Sequence, residues 1–245
     1  HDPEIVMAGL MVGDGYLHNA SNGKPFLCVG KDDQDYLASE ISHLFTGQRN
    51  GDYGYGVTIP ELSELDYRVT GRRIPHQYRI RGDLAQMSSF LRGLYSANGS
   101  VTGGRVTLKT TSWELVHDVQ MVLSALGIGS YHTTNQPTEI KWPNGTYESR
   151  ESYDVNIGRV IDLVEFHRLI GFLQLYKLEK LSELLDRNPS TRKELCSGVK
   201  GVDYLGDHEV FDITVDGPSH TYWSGGHNVS NCGEQVMEEF EACNL

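Results

Sequence analysis

Met7-Ala8-Gly9-Leu10-Met11-Val12-Gly13-Asp14-Gly15 and Leu91-Arg92-Gly93-Leu94-Tyr95-Ser96-Ala97-Asn98-Gly99 are two versions of one nine-residue pattern, 84 positions apart. Gly9 and Gly93 sit inside runs that otherwise favour helix, where a glycine costs roughly 1 kcal/mol relative to alanine. Close packing is the gain that offsets such a cost. Gly9 with Gly13, and Gly93 with Ala97, set small residues four apart on one helix face, so two backbones can approach as they cannot past leucine. Gly15 and Gly99 then supply helix stops. Asp14 is left at a helix C-terminus, where the macrodipole already presents negative charge and a carboxylate needs a cation beside it. A hard divalent ion that prefers oxygen ligands, Mg2+ or Mn2+, meets that need. A single Gly-Asp-Gly also fits an Asp-Gly turn; its recurrence in a second spaced copy argues for paired helices.

The 245 residues can bury a core of ordinary size, as one large or two modest domains. No apolar run reaches the roughly 18 residues of a membrane span. There is no secretory leader, and a first residue His1 is expected of a piece of a longer chain. Cys28, Cys196, Cys232 and Cys243 are scattered without metal-ligand spacing, which points to a reducing cytoplasm rather than a disulfide scaffold. The net charge of −12 opposes nucleic-acid binding as a whole-chain property. Its distribution does not: Arg68, Arg72, Arg73, Arg79, Arg81, Arg92, Arg105 and Lys109 face only Asp83 over residues 68–109, whereas from residue 188 onward ten acids stand against Arg192, Lys193 and Lys200.

The first copy is followed by a hairpin pattern, Gly15 to Lys31, turning at Asn22-Gly23. Tyr36, Leu37, Ile41, Leu44 and Phe45 predict a helix from Asp32 to about Phe45, and a second extended pair is expected over Tyr53 to Thr70. After the second copy the order repeats. Thr111-Ser112-Trp113-Glu114 has the form of a capping box, Leu115, Val119, Val122, Leu123 and Leu126 follow at helical spacing, and Gly127 ends the run. Asn144-Gly145 marks another hairpin turn, and residues 159–187 read as helix interrupted near Gly171. Strand alternation puts Arg105, Thr107 and Lys109 on one face and Val106 and Leu108 on the other. Arg68, Thr70 and Arg72 alternate likewise, as do Gln77, Arg79 and Arg81. A ribbon carrying such side chains suits phosphate contact and major-groove readout; a solvated sheet face shows the same pattern.

On the two glycine motifs, their spacing and the elements around them, residues 5–187 resemble the LAGLIDADG homing endonucleases. The resemblance implies an α+β fold: a pseudo-twofold pair of αββαββα repeats with antiparallel saddle sheets, over about 5–87 and 88–187. It implies a monomer that cuts double-stranded DNA with Mg2+ or Mn2+ held by the acids at the feet of the motif helices. The first acid maps to Asp14. The second maps to Asn98, which departs from the family and offers a neutral oxygen only, so the second half-site is expected to bind its ion poorly. Arg73-Ile74-Pro75 matches the family's basic residue before an Ile-Pro pair near the active centre, and Lys109 is a further candidate for supporting cleavage. Arg68, Arg72, Arg79, Arg81, Arg105, Thr107 and Lys109 are the expected DNA contacts.

Past Arg187 the sequence changes character. Residues 210–222 read as strand, turn and strand, and the chain then reaches Val229-Ser230-Asn231-Cys232. This stretch resembles the C-terminal splicing blocks of inteins, a short all-β, Hint-type segment over 188–231. An asparagine amide can attack its own backbone carbonyl and cut the bond after Asn231, and a thiol at Cys232 can take over the upstream acyl group. An imidazole assists by protonating the departing amine and polarising the carbonyl. The resemblance gives that part to His220, with Asp212 as the acid of the same block and Ser230 standing where the family has histidine. The amino-terminal splicing half is missing, so C-terminal cleavage is the most this chain could perform alone.

Cys232-Gly233-Glu234-Gln235 and Glu241-Ala242-Cys243-Asn244-Leu245 resemble the active-site segment of ribonucleotide reductase large subunits, which makes 232–245 a remnant of the host. The DNA partner is then the uninterrupted host-gene site. Three readings follow: an intein endonuclease with half a splicing apparatus, a DNA-binding protein without cleavage, and a reductase fragment with an unrelated insert.

Overall fold

The computed structural model describes residues 1–18, 24–58, 71–80, 82–142, 145–187, 201–209, 215, 221–224 and 227–230. The chain divides into two compact units, 1–193 and 194–245.

Two motif helices form the centre of the first unit. α1 (Pro3–Asp14) starts at Asp2, whose carboxylate accepts from the amides of Glu4 and Ile5, and it buries Ile5 through Gly13 without interruption. α3 (Leu84–Asn98) starts in a reciprocal capping box between Asp83 and Gln86 and buries Phe90, Leu91, Gly93, Leu94, Tyr95 and Ser96. A helix buried almost all round belongs to the middle of a core, and these two pack on each other. A Cβ added at Gly9 would stand 2.8 Å from the Leu94 amide nitrogen, and one at Gly93 would stand 2.8 Å from the Leu10 amide nitrogen. Position 94 is position 10 moved by the repeat offset, so the contact maps onto itself when the helices are exchanged. That reciprocity is the signature of a local twofold axis.

Each motif helix leads into a four-stranded antiparallel sheet. The first is built from β1 (Gly15–His18), β2 (Lys24–Cys28), β3 (Phe45–Asn50) and β4 (Gly54–Val57) in the order β1-β2-β4-β3. The second uses β5 (Gly99–Thr102), β6 (Arg105–Thr110), β7 (Tyr131–Asn135) and β10 (Ser152–Ile157) in the order β5-β6-β10-β7. These are the same topology, with the hairpin β8 (Glu139–Trp142) and β9 (Gly145–Glu148) inserted between the last two strands of the second sheet. Val106 and Leu108 are fully buried on the core face of β6, as the alternation predicts. α4 (Trp113–Ala125) packs on that sheet together with α3, and α5 (Val160–Leu169) packs on α6 (Leu175–Asp186).

Several sequence expectations change. The helix over 32–45 is two 3-10 segments, Lys31–Ala38 and Ser42–Leu44, after which Phe45 opens β3. Tyr36 and Ile41 are nevertheless buried where the apolar stripe placed them. The second strand pair of the first half therefore lies at 45–57 rather than 53–70, and 59–70 falls outside the described residues. Gln77 and Arg79, expected on a ribbon, lie instead on a helical turn, α2 (His76–Arg79), launched by Pro75, and Arg81 falls outside the described residues. The second motif helix starts at the Asp83 cap, and the cap of α4 is Ser112, accepting from the Leu115 amide, rather than Thr111. Gly127 ends that helix at φ +75°, as expected.

In the second unit, β11 (Thr221–Ser224) pairs antiparallel with β12 (His227–Ser230), and residues 201–209 carry no helix or strand. No described helix is long and apolar enough to cross a membrane.

Candidate functional site

The glycine contacts that fix the helix pair also fix what meets at its feet. Gly13 faces Ala97, and the Asn98 side-chain nitrogen lies 3.4 Å from where a Gly13 Cβ would stand. Asp14 follows Gly13 directly, so the last residues of the two motif helices share one spot.

Asp14 is an uncomfortable carboxylate. Burial pushes its pKa above the ordinary range, the Asp33 carboxylate adds to the rise, and the Arg72 guanidinium and the Lys177 ammonium oppose it. Arg72 reaches across from the inter-repeat segment, its Nη2 donating to the Gly15 carbonyl at 3.3 Å. Lys177, on α6, is only 7% exposed, and desolvation brings its pKa down to about 8 against the pull of Asp33 and Asp14. Gln174, fully buried, donates through Nε2 to Asp33 Oδ1 at 2.7 Å and to the Ser96 carbonyl at 2.9 Å. Cys28, an exposed free thiol on β2, is raised by its own burial and by both carboxylates. The charged groups around the paired motif feet are thus Asp14, Asp33, Arg72 and Lys177.

This donor set bears on the metal. Among the described residues no three His, Cys, Asp or Glu side chains gather as a ligand cluster. The motif feet offer one carboxylate, Asp14, and one amide oxygen, Asn98. Mg2+ characteristically accepts one or two carboxylates and completes its shell with water and substrate phosphates. The residues present therefore fit one hard divalent ion beside Asp14, and its charge would relieve a carboxylate disfavoured by burial and by the helix terminus.

The expected basic residues divide. Arg73 does not face the motif feet: its Nε and Nη2 donate to the Asp118 carboxylate at 3.2 and 2.9 Å. Arg79 Nη1 joins the same carboxylate at 2.8 Å, and the Ile74 amide donates to it at 3.1 Å. Asp118 is 2% exposed, so these guanidinium groups anchor the inter-repeat segment to α4. From this segment it is Arg72, one residue earlier than expected, that lies next to the centre. Arg105 and Lys109 lie on the outer face of β6, and Lys109 is exposed opposite Asp154. Thr107 between them is buried, donating to Asn156 Oδ1 at 2.9 Å and accepting from Arg105 Nε at 3.4 Å. Arg68, Arg81, Asp212, His220, Asn231 and Cys232 lie outside the described residues, and Ser230 is described only as the end of β12.

Asp33, Gln174 and Lys177 escaped the sequence reading. Nothing local marks them, since their partners are roughly 80 to 140 positions away. The one available signal was a Gln and a Lys inside an otherwise ordinary amphipathic helix start.

Comparison with known proteins gives a partial match. Residues 85–171, which span most of the second half, match the LAGLIDADG-like domain. Elongation factor 2 of Methanopyrus kandleri is 25% identical over 206 residues, 79% of this chain and 15% of that protein. The DNA polymerase of Thermococcus hydrothermalis is 26% identical over 254 aligned positions, 92% of this chain and again 15% of its own length. The chain therefore spans about 15% of the curated relatives it matches. Among solved structures, mesophilic variants of the homing endonuclease I-DmoI superpose with a TM-score of 0.44 at 19% identity, covering 68% of this chain and 89% of theirs. I-DmoI in complex with DNA and Ca gives 0.42 at 18%, covering 69% and 88%. Full-length DUF199/WhiA from Thermatoga maritima gives 0.43 at 17%, covering 78% and 63%.

Proposed function

We propose that residues 1–187 form a LAGLIDADG-type homing endonuclease domain that binds double-stranded DNA and hydrolyses its phosphodiesters with one bound divalent metal, Mg2+ or Mn2+. The observation that carries this reading is the reciprocal contact of Gly9 and Gly93, which brings the ends of both motif helices together under two sheets of identical topology. The similarity of one chain to parts of two unlike proteins, an elongation factor and a DNA polymerase, is what an insertion element would show.

Asp14, with the Asn98 amide oxygen, would hold the ion, which when bound supplies an activated water and charge stabilisation at the phosphate. The side chains do the rest. Arg72, fixed against the Gly15 carbonyl, presents a guanidinium to a phosphate brought to this foot. Arg105 and Lys109 offer positive charge on the outer face of the second sheet. With a carboxylate at one foot and an amide at the other, one strand is cut and the product is a nick.

The C-terminal segment is proposed as half of a splicing apparatus, Asp212, His220, Ser230 and Asn231 acting at the Asn231–Cys232 bond together with an N-terminal splicing half. Residues 232–245 are then a ribonucleotide reductase remnant, and the DNA target is that gene without its insert. The chain is proposed to act as a cytoplasmic monomer.

Plasmid carrying the uninterrupted site, incubated with Mg2+, tests the nuclease reading. Conversion to open circle by the wild-type chain and not by Asp14→Asn supports it. A mobility shift with no strand scission at all would leave a DNA-binding protein without cleavage.

A further inference from the structure

Lys177 stands in the first turn of α6 with 7% of its surface exposed, a rare position for an ammonium. Its Nζ donates to the Ser96 carbonyl at 2.6 Å. That oxygen belongs to the last turn of α3, where carbonyls lack partners within the helix and the dipole is negative. Gln174 donates to the same oxygen and ties it to Asp33. On the other side, Asp14 at the end of α1 and Asp33 are the carboxylates that act on the ammonium, with Lys180 the opposing charge. One cation is thus fixed at the negative end of α3 and within electrostatic reach of Asp14 at the end of α1. Two residues past Ser96 lies Asn98, where the first motif has its acid.

We infer that Lys177 is a built-in cation of the paired-motif centre, standing in for the divalent ion that a carboxylate at position 98 would hold. The inference rests on the nuclease reading of this centre. A tethered ammonium neutralises the second foot without being exchangeable, and it repels a second ion approaching that foot. Restoring an acid at position 98 then yields an ion pair with Lys177 and no new metal site. Only removal of the ammonium as well opens the place.

The test counts Mn2+ bound to the full chain, from the loss of the free-ion paramagnetic resonance signal, with Asp14→Asn supplying the background of surface carboxylates. The wild-type chain and Asn98→Asp should each bind one ion above that background, and Asn98→Asp combined with Lys177→Met should bind two. Lys177→Met alone should tighten the single site by at least about fivefold, while Lys177→Arg should match wild type. Lys177→Gln, which can keep the bond to Ser96 without the charge, repeats the measurement should the methionine variant fail to fold. A second ion with Asn98→Asp alone, an unchanged affinity in both uncharged variants, or no Asp14-dependent ion in any variant would overturn the inference. Because no DNA is present, this pattern can hold while plasmid cleavage fails, which would remove the nuclease reading alone.

Discussion

At the scale of single residues, two acids carry opposite assignments. Asp118 accepts from Arg73, Arg79 and the Ile74 amide while almost wholly buried. Deleting it leaves the largely buried Arg79 guanidinium and the Ile74 amide to find other partners, whereas the half-exposed Arg73 can turn to water, and the lost charge-assisted hydrogen bonds cost about 1.5–3 kcal/mol. Urea unfolding of Asp118→Ala should show that loss, without any direct effect on metal binding. Asp14 behaves the other way. Its pKa is raised in the folded chain, so folding favours the protonated carboxyl relative to the unfolded chain. The contribution of Asp14 to stability is therefore greatest below the ordinary carboxylate pKa and is lost as pH rises through the folded value. At pH 7 without metal, Asp14→Asn should be more stable than wild type by about 0.5 kcal/mol, the scale of a carboxylate at a helix C-terminus; at low pH the difference should vanish, and added Mn2+ should stabilise only the wild type. Asp14 and Asn98 were legible in the sequence because a repeated motif frames them. The roles of Arg73 and Arg79 were not, because their partner lies about 40 positions away on another helix.

At the scale of elements, glycine decides the packing. An alanine at Gly9 gains roughly 1 kcal/mol of helix propensity, yet its Cβ would sit 2.8 Å from the Leu94 nitrogen, and backbone cannot swing aside as a side chain can. Gly9→Ala should cost about 3 kcal/mol net by overpacking, and Gly93→Ala should match it because the contact is reciprocal. Thermal melts of both variants check this; a stabilised Gly9→Ala would mean the helices stand apart. The elements that the sequence reading missed are those where local pattern and tertiary demand part. Residues 31–44 carry an apolar stripe compatible with an α-helix, but Asp33 and Asp35 are drawn to Gln174 and the Leu175 amide, and the chain takes the tighter 3-10 turns. Arg79 follows Pro75, whose fixed φ starts a helical turn where alternation suggested a strand.

At the scale of the molecule, two sheets of the same strand order flank one pair of helices, and that symmetry was readable from the spacing of two short motifs. The chemistry is not symmetric. One foot has a carboxylate with Arg72 nearby; the other has an amide with a buried ammonium beside the neighbouring carbonyl. On the proposed reading, a −12 chain meets DNA through Arg105 and Lys109 on the outer face of the second sheet, with an affinity that falls with salt. The most direct measurement is the fate of supercoiled plasmid bearing the uninterrupted target in Mg2+. Wild-type chain should give open circle without linear product, and Asp14→Asn should leave the plasmid intact. Equal cutting by wild type and Asp14→Asn would contradict the account, because the paired motif feet would then play no part in the reaction.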